Sequence, residues 1–384
     1  MKKILAVTGI RSEYFILQPV FEEIIKRDDL DLKVVVTGAH LSPIFGNTYK
    51  IIEKDGFEII KLETLLSSDS LAGRSKSLGI QIMGLTDIVS SEKPDWLLVL
   101  GDREESIATA LIGTYMNIPV AHICGGDRVV GNIDDSVRHA VTKLAHLHFP
   151  TTKENGDRIL KMGEEPWRVH VVGNPALDSI RKQPELSYDY LNQKLGTKLN
   201  EKEPFILLIK HPLSSEYKKS KEQMRITLEA VAELKIKTIV IYPNSDAGSF
   251  GMINVINDFV KKYEFIKAFK TLPRDIFVNL QRKASVLLGN SSSGILEAPF
   301  LKLPVINVGN RQRQRQHAEN IIFVPHDKEL IKSAIKRALS DQSFIEMCRN
   351  CSNPYGDGYS GERIARIIAK TKIDDKLINK QIVY

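Results

Sequence analysis

Serine hydroxyls, a carboxylate and a guanidinium group fall within one short stretch, residues 284–315, ASVLLGNSSSGILEAPFLKLPVINVGNRQRQR. Ser285–Leu288 is apolar and β-prone, as a strand buried on both faces of a parallel sheet must be. Gly289-Asn290-Ser291-Ser292-Ser293-Gly294 follows without a bulky side chain, then the short helical pattern Ile295–Ala298 and a second apolar strand, Val305–Val308. A helix start leaves N–H groups free and carries partial positive charge, so hydroxyls on a small-residue turn there suit an anion. Ser292 or Ser293 would serve equally as a plain helix cap. Glu297, one turn on, tips the reading towards a ligand, because its carboxylate can accept from sugar hydroxyls. Arg311, past the next strand, can pair with a phosphate. Phosphate and ribose held at the carboxyl ends of parallel strands describe a nucleotide site.

Positioning such groups takes alternating strands and helices, and the chain supplies them twice. Ile4–Thr8 reads as a first strand, closed by Gly9-Ile10-Arg11-Ser12-Glu13 and followed by a helix with Phe15, Val20, Ile24 and Ile25 on its apolar face. Leu32–Thr37 is a second strand, followed by helices near 47–55 and 74–91. Trp96–Leu100 then ends in Gly101-Asp102-Arg103, and a helix over 104–116 leads to the strand Val120–Ile123. The turn 124–135, CGGDRVVGNIDD, is long for this arrangement and rich in Gly and Asp, which marks it as functional. Asp135 or Ser136 caps the next helix, whose start carries Arg138 and His139. Leu147–Pro150 and Val169–Val172 close the first half as strands. Residues 181–203 are polar, with little to bury, and form a junction. Strands resume at Ile206–Ile209 and Thr238–Ile241, with His211 and the turn Tyr242-Pro243-Asn244-Ser245-Asp246 at their ends. The expected class is α/β, with a doubly wound parallel sheet in each half. The domains run over 1–180, the junction 181–203, a second domain 204–365, and a C-terminal helix and tail 366–384.

At 384 residues the chain has room for two cores. Its 42% apolar and 26% charged residues are those of a globular protein. A net charge of +7 is spread along the chain rather than gathered in blocks, which suits an anionic small molecule. Aromatics are only 7% and do not interleave with basic residues, so no nucleic-acid partner is expected. Met1-Lys2-Lys3 leads straight into a strand and no apolar run has membrane length, so the expectation is a cytoplasmic chain without a membrane partner. Cys124, Cys348 and Cys351 make no disulfide framework, and the lone CxxC spacing of Cys348 and Cys351 is too little for a metal or redox site.

Six motifs carry a resemblance: Gly9-Ile10-Arg11-Ser12-Glu13, Gly101-Asp102-Arg103, Gly131 to His139, His211-Pro212, Pro243 to Gly248, and Gly289-Asn290-Ser291-Ser292. Any one of them is weak. In this order, from Lys3 to about Lys370, they resemble the UDP-N-acetylglucosamine 2-epimerases, in particular the hydrolysing branch of sialic-acid-type pathways. The resemblance implies a GT-B fold, two Rossmann-like domains with an interdomain cleft, and UDP held mainly by the second. It implies a UDP-sugar substrate, no cofactor, and a homodimer or homotetramer. It places Arg11, Arg103, His211, Asn244, Asp246, Ser291, Ser292, Glu297 and Arg311 among the nucleotide contacts, with the backbone of Leu272 against the uracil.

The implied reaction takes the proton from sugar carbon 2 as UDP leaves anti, giving a 2-acetamidoglucal to which water adds. UDP-N-acetylglucosamine would yield N-acetylmannosamine and UDP. Such chemistry needs a base, an acid and stabilisation of the leaving charge. Asp102, Asp134 and His211 match these roles, with Asp127 beside them; Asp134 and Asp135 also suit plain helix capping. Two departures bear on the substrate. Cys124 stands where many members of the family carry Glu, leaving that role to Asp127 or to nothing, and Phe15 stands where the family can have Ser near the diphosphate. A UDP-2,4-diacetamido sugar, as in legionaminic-acid synthesis, is the second substrate reading. A GT-B glycosyltransferase and a nucleotide-sugar sensor without catalysis are readings of a different class.

Overall fold

The computed structural model describes the chain except residues 67–69, 129–132, 244–247, 314 and 384, and except the side chains of Leu71, Ser214 and Ser215. Asn244 and Asp246 therefore lie outside the described residues, as do Gly131 and Asn132.

Among the described residues twelve strands form two sheets. The first holds β1 (Lys2–Thr8), β2 (Leu30–Thr37), β3 (Ile59–Leu62), β4 (Trp96–Leu100), β5 (Val120–Ile123) and β6 (Leu147–Phe149), in the order β3-β2-β1-β4-β5-β6. The second holds β7 (Phe205–Ile209), β8 (Lys237–Ile241), β9 (Ile266–Phe269), β10 (Val286–Gly289), β11 (Val305–Val308) and β12 (Ile321–Val324), in the order β12-β11-β10-β7-β8-β9. Every pairing is parallel. Each sheet is thus doubly wound, and its order reverses between β1 and β4 or between β7 and β10. Outside the carboxyl ends of those strands is where such sheets bind ligands.

Central strands are apolar because helices cover both of their faces. β4, WLLVL, and β7, FILLI, are buried at every position. Alternation along β1 sends Ile4 and Ala6 into a cluster with Tyr14, Phe21 and Ile24, and Leu5 and Val7 into another with Leu85 and Ile112. The helix Arg11–Ile25 begins inside the turn expected after β1. Its buried face is Tyr14, Leu17, Val20, Phe21 and Ile24, while Ile25 is exposed.

Several boundaries differ from the sequence reading. Val169–Val172 is not a strand: it makes a single bridge, His148 with Val169, and Val171 is half exposed. Asp135 does not cap the helix Ile133–Leu144 but sits in its first turn. The junction 181–203 is not coreless, since Leu191, Leu195 and Leu199 pack with Phe205 and Leu280. It belongs to the second of two compact units, Lys182–Pro354; the first is Met1–Arg181 together with Tyr355–Tyr384. The chain thus leaves the second unit eleven residues before the expected boundary at 365. The Asp178 carboxylate accepts the Ser360 and Gly361 N–H groups at 3.0 and 2.8 Å, anchoring the helix Ser360–Lys370. The tail beyond is tied down: Lys380 Nζ donates to the carbonyls of Thr142, Lys143 and Ala145, and the Val383 N–H to that of Gly163.

Candidate active site

In the first unit the polar groups gather at the ends of β1, β2, β4 and β5. The turn after β4 needs Gly101, whose φ is +73°. His122, buried on β5, donates from Nε2 to the Gly101 carbonyl at 2.8 Å, and burial pushes its pKa down to about 3, so it stays neutral. Asp102, next in line, pairs with the Arg138 guanidinium, which is only 6% exposed. Arg138 also donates to the Asp127 carbonyl at 2.9 Å, so one buried arginine ties the β4 turn to the turn after β5. Asp127 has its Oδ1 engaged by Thr151, at 3.1 Å, and by Asn155. Asp134 lies in the first turn of the helix that carries Arg138. Cys124 has φ of +61° and is buried, and burial pushes its thiol far up, so it is not a poised nucleophile.

Beside this cluster a cavity of about 680 Å³ is lined by Arg11, Arg74 and Arg103, by Glu104 and Glu105, and by an apolar wall that includes Ile10, Phe45, Leu65 and Leu66. Arg11 lies over the Phe15 ring, 5.2 Å from its centroid. Arg74 pairs with Glu104. Two carboxylates given no role in the sequence reading meet here, Glu105 on the cavity wall and Glu13 of the first glycine motif. Glu13 and Glu105 are 8% and 5% exposed. Burial first, then the charge of Glu105, raises the Glu13 pKa from 4.5 to about 8, against the pull of Arg103. Between those two values the folded chain keeps a proton that the unfolded chain has released. Stability therefore falls as pH rises through that window and levels off above it. Glu13→Gln removes this slope: between about pH 5 and about pH 8 its melting temperature should gain on the native chain by about 2 °C or more. A constant offset in parallel melts would show that Glu13 is ionised throughout.

In the second unit β10 ends at Gly289, where φ is +134° and a Cβ would lie 2.0 Å from the Ile209 carbonyl oxygen of β7. That close approach brings Asn290 against His211. Asn290 Oδ1 accepts the His211 N–H at 2.7 Å and its Nδ2 donates to the His211 carbonyl at 2.9 Å, clamping the backbone of the expected catalytic histidine. Arg311 and Gln312 each donate to the Asn290 carbonyl at 3.1 Å. The helix after the serine turn is a single turn, Ser293–Leu296, so its dipole is small. Neither Ser292 nor Ser293 caps it; the Ser291 hydroxyl accepts the Ser293 N–H at 3.3 Å, leaving the Ser292 hydroxyl uncommitted to the cap. Glu297 receives Arg274, at 3.1 Å, and Gln281, at 2.8 Å; a carboxylate with about four lone-pair sites can still take a hydroxyl. Leu272 lies partly buried just ahead of Pro273, at the entry to the helix Arg274–Lys283.

The sequence reading places Asp102, Arg103, Asp127 and Asp134 together, and the structure holds them around Arg138 and the β4 turn. It names Glu13 and Asn290 only as members of motifs, without a role, and passes over Glu105, two residues from Arg103. Among the described residues no cluster of His, Cys, Asp or Glu is arranged to hold a metal ion, and no helix is long and apolar enough to cross a membrane.

Two doubly wound sheets with polar switch points make this a protein of the GT-B class. The model of the UDP-N-acetylglucosamine 2-epimerase family matches residues 22–369, and the chain belongs to that family. It is 34% identical to the UDP-N,N'-diacetylbacillosamine 2-epimerase (hydrolyzing) of Legionella pneumophila, over all of both chains. It is 36% identical to the GDP/UDP-N,N'-diacetylbacillosamine 2-epimerase (hydrolyzing) of Campylobacter jejuni, over 84% of each. Its fold matches the Neisseria meningitidis UDP-GlcNAc 2-epimerase crystallised with UDP-GlcNAc at a TM-score of 0.79, with 20% identity over 96% of this chain and 100% of that one.

Proposed function

We propose that the protein is a hydrolysing 2-epimerase of a UDP-linked 2,4-diacetamido-2,4,6-trideoxy sugar, releasing UDP and the free sugar inverted at carbon 2. The observation that carries this is the full-length similarity to a Legionella enzyme whose name states both that substrate and the hydrolysis. It moves the diacetamido sugar ahead of UDP-N-acetylglucosamine, the first substrate in the sequence reading. The apolar wall of Ile10, Phe45, Leu65 and Leu66 supports it, since this sugar carries a methyl where N-acetylglucosamine has a hydroxymethyl group, and a second acetamido methyl.

In this reading Asp102, aimed by Arg138, takes the proton from carbon 2 while the carbon–oxygen bond to UDP breaks and its electron pair leaves with the diphosphate. Asp134 then protonates carbon 2 of the glucal from the opposite face, while water adds its oxygen to carbon 1 and gives up a proton to the carboxylate that Asp134 has become. Asp127, held by Thr151 and Asn155, braces the turn. Within the first unit Arg11 and Arg103 offer charge for the diphosphate; within the second, Ser291, Ser292, Arg311 and His211 suit phosphate oxygens and Glu297 suits the ribose. An apolar pocket tells substrates apart by about 10- to 200-fold per methyl-sized change. Release of UDP, followed without any acceptor across a panel of UDP sugars, should therefore favour the diacetamido sugar over UDP-N-acetylglucosamine in kcat/KM by a factor in that range. A preference for UDP-N-acetylglucosamine would restore the simpler substrate. UDP release only when an acceptor is added would make the chain a glycosyltransferase.

A further inference from the structure

Gly9 is touched by two carboxylates. Glu13, in the first turn of the helix Arg11–Ile25, accepts the Gly9 N–H at 3.1 Å. Glu105, in the first turn of the helix Glu104–Tyr115, packs so closely on Gly9 that a Cβ there would lie 1.7 Å from its Oε1. Two glutamates from different elements are thus driven together behind the turn at the β1–β4 switch point. The Oε2 of Glu105 is buried and accepts no hydrogen bond. Arg103 stands next to it, Nε to Oε2 at 3.5 Å, and its Nε is likewise buried without a hydrogen-bond partner. The guanidinium lies between this pair and Glu104, 3.6 Å from the Glu104 Oε2, and it faces the cavity alongside Arg11.

Resting on the reading that the substrate is a diphosphate ester, we propose that Glu13 and Glu105 are positioning residues that share a proton behind Arg103, and that binding of the diphosphate draws a further fraction of a proton from water onto this pair. Two carboxylates against one guanidinium cannot both stay ionised in so buried a place. Burial raises both groups, Glu13 to about 8. The other groups around the pair do not take over this titration. Burial disfavours the charge of Glu104, but Arg74, its own backbone N–H and Arg103 together outweigh it and hold Glu104 below its ordinary range. His40, at the end of β2, is pushed by burial down to about 4 and stays neutral. Asp134 acts on Arg103 from the helix Ile133–Leu144, and Arg11 faces the same cavity. A dianion arriving at Arg103 makes a second negative charge behind it costlier, so the pair holds its proton to higher pH and UDP binding weakens as pH rises.

Calorimetric titration of the full chain with UDP at about pH 8, in two buffers of different ionisation enthalpy, counts the protons exchanged; UDP itself, with a phosphate pKa of about 6, is already ionised there. The expected result is uptake of roughly a quarter to a half proton per UDP, the fraction ionised near a group's own pKa. UDP affinity should also fall by about 3- to 10-fold between about pH 7 and about pH 9. In Glu13→Gln both the uptake and the fall disappear, and Glu105→Gln, should the first variant fail to fold, gives the same loss of uptake. A residue with a merely structural role would not change the proton count. UDP binding without uptake, or uptake that persists in both variants, overturns this inference and leaves the epimerase reading standing. A chain that binds no UDP overturns both.

Discussion

Asp102→Asn is expected to lower kcat for UDP release by at least about 100-fold, the low end of what a positioned acid or base contributes. The substitution keeps the shape and an acceptor oxygen for Arg138, so UDP affinity should stay within a few-fold. It removes a charge from a pair whose arginine side chain is only 8% exposed, and losing one partner of such a pair outright costs about 3–5 kcal/mol. The amide retains the hydrogen bond, so a stability loss of about 1–3 kcal/mol is expected here. Single-turnover rates on protein shown by melting to be folded separate the two effects. A kcat within threefold of native would make Asp102 a strut for Arg138 and pass the base role to another carboxylate.

Gly289→Ala is the second large effect, and it acts on structure. The new Cβ would meet the backbone oxygen of Ile209 at 2.0 Å, and backbone in a central strand cannot swing aside as a side-chain tip can. A φ of +134° adds strain for any residue but glycine. Together these costs come to roughly 2–6 kcal/mol. The melting temperature should fall by about 5 °C or more. UDP affinity should fall with it, because the close approach of the end of β10 to its neighbour β7 is what seats Asn290 on the His211 backbone. A variant with native melting and native UDP affinity would show that β10 can shift without loss, and that the clamp is not what shapes the nucleotide turn.

Central strands were readable because burial on both faces leaves only apolar residues, as in Trp96–Leu100 and Phe205–Ile209. β3, β9 and β12 were not, and all three lie at sheet edges. Ile321–Val324 is only partly buried throughout, Ile59–Leu62 is partly buried with Lys61 exposed, and Lys267 sits exposed within β9, so their patterns are those of any short loop. The helix Tyr188–Leu195 was hidden by Lys and Gln around Leu191 and Leu195, which alone reach the core. In the site, glycine and aspartate turns after apolar strands pointed directly to Asp102 and Arg103. Glu13 and Glu105 escaped because a glutamate in a first helical turn is ordinarily a solvated partner for the helix dipole. Only the three-dimensional approach of both to Gly9 shows them buried. The Asp102–Arg138 pair spans 36 positions and has no local signal at all.

The central claim, elimination of UDP followed by hydration, is tested most directly by turnover in deuterated water with the UDP-2,4-diacetamido-2,4,6-trideoxy sugar and mass and NMR analysis of the product. The account predicts free sugar of inverted configuration at carbon 2, carrying one deuterium there, released in step with UDP. Product still joined to UDP, or free sugar of unchanged configuration without deuterium at carbon 2, would contradict it.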